Sequence, residues 1–241
     1  MCEMNTNSPR GMGDTPETYD AEAFKRPSVA VDVVAFTSLE NRLCILLIRR
    51  GVWPFEGDWA LPGGFVRMEE DLDTAAHREL REETGLAGAH YLEQLYTFGA
   101  VERDPRTRVI SVAYYALLPG PDSAFHPTAG TDAAEARWWP VDEVPALAFD
   151  HDQIVGLALS RLRAKLGYTS VAYALLSEEF TLTELQTVYE IILGQGLDKR
   201  NFRKKMLSTG ILEATPRQKR AGAHRPAQLY RFTKREPVFL G

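Results

Sequence analysis

The hydropathy pattern opens with strands. "SVAVDVVAF" (28–36) and "RLCILLIRR" (42–50) are β-branched or continuously apolar, and the turn-like "TSLEN" separates them. Further strands are predicted at "YLEQLYTFG" (91–99), "RVISVAYYALL" (108–118) and "EARWWPV" (135–141). Between these sets Asp71 is a reasonable N-cap for a helix running to about Thr84. A helix between two sets of strands predicts an α/β or α+β sandwich. Residues 151–166, "HDQIVGLALSRLRAKL", then place Ile154, Val155, Ala158, Leu162 and Leu166 on one stripe, an amphipathic helix that closes the first block.

A second block follows. In "EFTLTELQTVYEIILG" Thr181 caps a helix, Glu184 three residues on reaches back to complete a capping box, and Phe180 and Leu185 sit at staple positions. Gly194 and Gly196 end that helix, and another begins near Asp198. On it Leu197, Phe202, Met206 and Leu207 are expected to face inward, while Lys199, Arg200, Arg203 and Lys204 project outward. Ile211 and Leu212 then lead out along a strand and Leu229 to Phe232 lead back. Arg217, Lys219, Arg220, His224 and Arg225 crowd the tip. Two helices joined by a Gly turn and followed by a hairpin make a winged helix-turn-helix. The expected organisation is a tail (1–25), an α/β domain (26–150), a connecting helical segment (151–176) and a winged-helix DNA-binding domain (177–241).

Charge sharpens this division. A chain of 241 residues, 44% hydrophobic and 25% charged, can bury one generous core or two modest ones. Its net charge of −5 hides an asymmetry, because residues 197–236 carry net +9 and the remainder −14. A basic element on an acidic protein is the footprint of a phosphate backbone, here double-stranded DNA. The bland alternative is a solvated basic face on a dimerisation module. The two cysteines, Cys2 and Cys44, form neither a disulfide framework nor a metal spacing. No apolar run approaches the roughly 20 residues of a membrane span, and the first residues lack the profile of a signal peptide. A cytoplasmic protein without a membrane partner is expected.

The chemistry lies in "ALPGGFVRMEEDLDTAAHRELREETGL" (60–86), where Glu69, Glu70, Asp71, Asp73, Glu79, Glu82 and Glu83 crowd together. Like charges four apart on a helix repel, so something must neutralise them. Gly63 and Gly64 after Pro62 mark a sharp turn that lets the backbone approach a ligand. Glu79, Glu82 and Glu83 stand at i, i+3 and i+4, on one helical face, and carboxylates so gathered suit a hard divalent cation. Arg78 can orient one of them by charge-assisted hydrogen bonds. From Gly64 the chain reads Gly, five residues, Glu70, seven residues, Arg78-Glu79-Leu80, one residue, Glu82-Glu83, one residue, Gly85-Leu86. This resembles the complete box of the Nudix superfamily. The resemblance implies an α/β/α sandwich that hydrolyses a nucleoside diphosphate linked to another group. It assigns Mg²⁺ or Mn²⁺ to Glu79, Glu82, Glu83 and the Gly63 carbonyl, makes Glu70 the brace of loop and helix, and has Arg78 orient Glu79. The general base falls outside the box, with Asp132 or Glu135 as candidates and Glu102 behind them. Trp138 and Trp139 receive no role beyond packing.

The α/β/α sandwich and winged helix together, with "TELQTVYE", "LDKRNFRKK" and "RPAQLYRF", resemble the Nudix-related transcriptional regulator (NrtR) family over nearly the whole chain. That resemblance implies ADP-ribose binding, repression of NAD-metabolism operons and a homodimer. Many such proteins carry degraded boxes, and this one does not. Three functions therefore stand open: an ADP-ribose-responsive regulator that also hydrolyses its ligand, a Nudix hydrolase whose winged helix serves assembly or substrate access, and a non-catalytic regulator sensing another metabolite such as a sugar.

Overall fold

The computed structural model describes residues 23–86, 88–119, 133–220 and 226–240. Its first sheet contains β1 (Ser28–Leu39), β2 (Arg42–Arg50), β3 (Trp59–Ala60), β4 (Gly63–Phe65), β5 (Tyr91–Phe98), β6 (Val109–Leu117) and β7 (Ala133–Pro140). The strand order is β3-β2-β1-β6-β5, with β4 paired to β1 and β7 to β2. β1 and β6 run parallel and the other pairs antiparallel. β1 and β6 are apolar nearly throughout because both faces of the sheet are covered. Val31, Val33 and Ala35 pack with Ala75, Ala76 and Leu80 of α1 (Leu72–Thr84). Val34 and Phe36 pack on the other face with Ile154, Ala158 and Leu162 of α2 (His151–Leu166). The alternation of β1 thus builds an α/β/α sandwich.

The second core is continuous with the first. α2 carries Leu162 and Leu166 into a cluster with Leu185 and Ile192 of α3 (Leu182–Leu193) and with Phe202 and Met206 of α4 (Lys199–Ser208). Arg163 Nε also donates to the carbonyl of Ile192 at 2.8 Å. Thr181 and Glu184 form the reciprocal capping box, and Gly194 ends α3 in the left-handed conformation (φ 70°) that glycine tolerates. A three-stranded sheet of β8 (Phe180–Thr181), β10 (Ala227–Phe232) and β9 (Leu212–Lys219) completes the winged helix.

Three expectations need correction, and two strands went unpredicted. β7 starts at Ala133, two residues early, and Val155 is only half-buried beside the stripe of α2. Leu207 is 50% exposed, since α4 is short and buries only Phe202 and Met206. β3 and β4 were not anticipated, because two or three residues cannot display a period of two.

Candidate functional site

The acidic face of α1 forms one wall of a cleft of about 470 Å³, to which Glu79, Glu82 and Glu83 all contribute. Arg78 is its organiser. Its side chain is buried and grips Glu70 through Nε (2.8 Å to Oε2) and Nη2 (2.5 Å to Oε1). Nη1 reaches Glu79 at 2.6 Å and Glu82 at 3.1 Å, and Nη2 also meets the carbonyl of Phe65 at 3.1 Å. Glu70 accepts the Arg67 backbone N–H at 2.8 Å, joining loop to helix. The Arg78 hydrogen bonds hold the Glu70 carboxyl down at about 2, whereas burial pushes Glu79 up. A Cβ on Gly63 would lie 2.3 Å from the Val31 carbonyl oxygen, so the turn requires glycine there, and Gly64 stands close against the Glu79 carboxylate.

Glu83 accepts the Gly63 N–H at 2.9 Å, and Glu82 also pairs with Arg67 at 3.1 Å. Among the described residues the three carboxylates do not form a ready-made cation cage. Their donor chemistry nevertheless suits a hard cation, being all oxygen and on one face beside the Gly63 turn. Each carboxylate has two oxygens, so a hydrogen bond on one leaves lone pairs for a cation.

The opposite wall was missed from the sequence. It contains Asp32 of β1, Arg103, Asp104 and Arg106 of the β5–β6 loop, and Phe149 and His151 at the head of α2. Asp32 is buried, accepts a hydrogen bond from Ser111, and faces Arg103 Nη2 at 3.3 Å and His151 Nε2 at 3.4 Å. Burial works to raise its pKa, but His151, Ser111 and Arg103 outweigh it and bring it down to about 2. Arg103 in turn meets both oxygens of Asp150, at 3.0 and 2.6 Å. Arg106 pairs with Asp104 at 2.7 Å, and its guanidinium lies 5.1 Å from the Phe65 ring and 5.8 Å from that of Phe149. Asp32 carried a signal that could have been used, since a lone charge inside "VAVDVVAF" is rarely buried without a purpose. In "AVERDPRTR" Glu102 was the expected participant, but it is exposed and does not line the cleft. Glu135 is exposed on β7 opposite Arg49 and does not line the cleft either. Asp132 lies outside the described residues. Trp139 packs edge-on to Trp59 at 5.3 Å.

On the winged helix Lys199, Arg200 and Lys204 are exposed along α4. Arg203 does not project freely. It is half-buried, and Nη2 donates to Thr183 Oγ1 at 3.2 Å. Two wing cations are engaged within the domain, Arg217 with Glu179 at 3.0 Å and Lys219 with Glu184 at 2.7 Å, while Arg220 is exposed. His224 and Arg225 lie outside the described residues.

Both units match known families: the NUDIX domain over residues 26–157 and the NrtR DNA-binding winged helix domain over residues 172–232. The chain is 40% identical over 225 residues to the ADPR responsive transcriptional repressor NtrR of Acinetobacter baylyi, spanning 92% of this chain and 88% of that protein. It is 39% identical over 132 residues to an ADP-ribose pyrophosphatase of Methanocaldococcus jannaschii, spanning 55% of this chain and 73% of that one. The structure of Shewanella oneidensis NrtR complexed with a 27mer DNA is similar at a TM-score of 0.74 and 37% identity, over 85% of this chain and 93% of that chain. With a complete Nudix box in the cleft and an NrtR-type winged helix packed on the same core, the chain belongs to the NrtR family of Nudix-related transcriptional regulators.

Proposed function

We propose that this protein is an ADP-ribose-responsive repressor of NAD-metabolism genes, active as a homodimer, whose Nudix cleft also hydrolyses its ligand. The observation that carries this reading is the intact box beside a cleft whose opposite wall includes the head of α2, the helix that continues into the winged-helix core. In this reading Glu79, Glu82, Glu83 and the Gly63 carbonyl hold Mg²⁺ or Mn²⁺. A bound cation draws charge off the diphosphate oxygens and lowers the pKa of an attacking water. Arg78 fixes Glu79, Glu70 braces Arg78 against the Arg67 backbone, and Arg106, the more exposed of the two arginines on the opposite wall, is the one within reach of a diphosphate, while Arg103 is spent on Asp32 and Asp150. Asp132 and Glu135, with Glu102 behind them, are the candidate proton acceptors. Lys199, Arg200, Arg203, Lys204 and the wing residue Arg225 contact double-stranded DNA.

The alternative is a non-catalytic regulator sensing another metabolite such as a sugar. Incubation with Mg²⁺ and a panel of nucleoside diphosphate derivatives separates the two. Hydrolysing regulators convert ADP-ribose to AMP and ribose 5-phosphate. A sensor returns it intact.

A further inference from the structure

We propose that His151 is the positioning residue of the cleft, holding the Gly63–Gly64 turn through the backbone of Leu61. The chain leaves sheet pairing between β3, which ends at Ala60, and β4, which starts at Gly63. Leu61 is buried at that gap, where its N–H needs an acceptor. The acceptor is His151 Nδ1, at 2.9 Å. With Nδ1 accepting, the ring proton belongs on Nε2, which faces Asp32 Oδ1 at 3.4 Å. Asp32 is itself fixed by Ser111 and Arg103, and Arg103 by Asp150, the residue before His151. The imidazole is therefore held by a hydrogen bond at Nδ1 and by the Asp32 carboxylate facing Nε2, and it is 4% exposed.

What it locks bears on the site. Two residues beyond Leu61, the Gly63 N–H donates to Glu83, and Gly63 stands opposite Asp32 in the β1–β4 register. A turn free to shift by an ångström moves the Gly63 carbonyl relative to the carboxylates of α1. Supporting groups of this kind typically alter metal affinity by about 10- to 100-fold when removed. The assignment rests on the cleft being a divalent-cation site.

His151→Asn and His151→Gln test it, because the Asn amide oxygen occupies the place of Nδ1 and keeps the Leu61 bond, whereas Gln reaches only toward the place of Nε2. Mn²⁺ alone is titrated into the full chain and followed by electron paramagnetic resonance, with hydrogen exchange of the Leu61 amide measured alongside. The Gln variant should lose about 10- to 100-fold in Mn²⁺ affinity and exchange Leu61 faster. The Asn variant should stay within a few-fold of the parent in both. Equal affinity in all three proteins, or equal losses in both variants, overturns the assignment. A parent that binds no Mn²⁺ overturns it together with the cation site, while a parent that binds Mn²⁺ without turning over ADP-ribose removes only the hydrolytic function.

Discussion

Glu82 is the most exposed of the box carboxylates, its side chain 38% accessible against 10% for Glu79, so it can be altered with little cost to packing. Glu82→Gln keeps the shape and removes a ligand charge. Turnover of ADP-ribose should fall by orders of magnitude, since a catalytic cation supplies several kcal/mol of transition-state stabilisation, while the thermal unfolding curve stays near that of the parent. A variant hydrolysing at the parent rate would show that the box is not catalytic here. Asp32 makes a different prediction. Its folded pKa, about 2, lies below its ordinary 3.8. The stability it contributes is therefore complete above about pH 4 and is lost as pH falls through 2. Acid unfolding followed by circular dichroism should be less steep between pH 4 and 2 in Asp32→Asn, and an unchanged slope would mean that the His151–Arg103 setting does not stabilise the carboxylate.

At the scale of elements, the α1 wall was legible because a fixed spacing carries its chemistry. Gly64, Glu70, Arg78, Glu79, Glu82 and Glu83 meet through one turn and one helix, so local geometry suffices. The opposite wall assembles Asp32, Arg103, Phe149 and His151 from three distant segments, a long-range pairing that no local period encodes. α2 and α3 were legible to the residue from their stripes and caps, whereas β3 and β4 were too short to register. The capping box shows how a local signal acquires tertiary work. Glu184 accepts the Thr181 N–H at 2.7 Å and also binds Lys219 of the wing. Thr181→Ala should cost about 1 kcal/mol in urea unfolding. Glu184→Ala, which also frees the wing, should weaken DNA binding more than Thr181→Ala does. Equal DNA affinity in the two would show that the Lys219 contact does not position the wing.

At the scale of the molecule, an acidic α/β domain carries a basic winged helix on a shared core. The homodimer proposed above, neutralising roughly 6 to 10 phosphates, should lose about 10³ to 10⁵ in DNA affinity between 50 and 200 mM salt. Binding indifferent to salt would contradict the assigned basic face. Coupling between the halves has a physical route, because the head of α2 lies in the cleft network of Asp32, Arg103 and Asp150 and its end packs against α3 and α4. A ligand that reshapes the cleft can alter the spacing of two recognition helices, which must match about one DNA turn. Such coupling is reciprocal and typically worth about 1 to 3 kcal/mol, a 5- to 150-fold change in affinity. The central measurement is a titration of operator DNA with the Glu82→Gln protein, with and without ADP-ribose, so that the ligand persists. ADP-ribose should weaken DNA binding by a factor in that range, and DNA should weaken ADP-ribose binding by the same factor. Superimposable curves would contradict ADP-ribose as the signal.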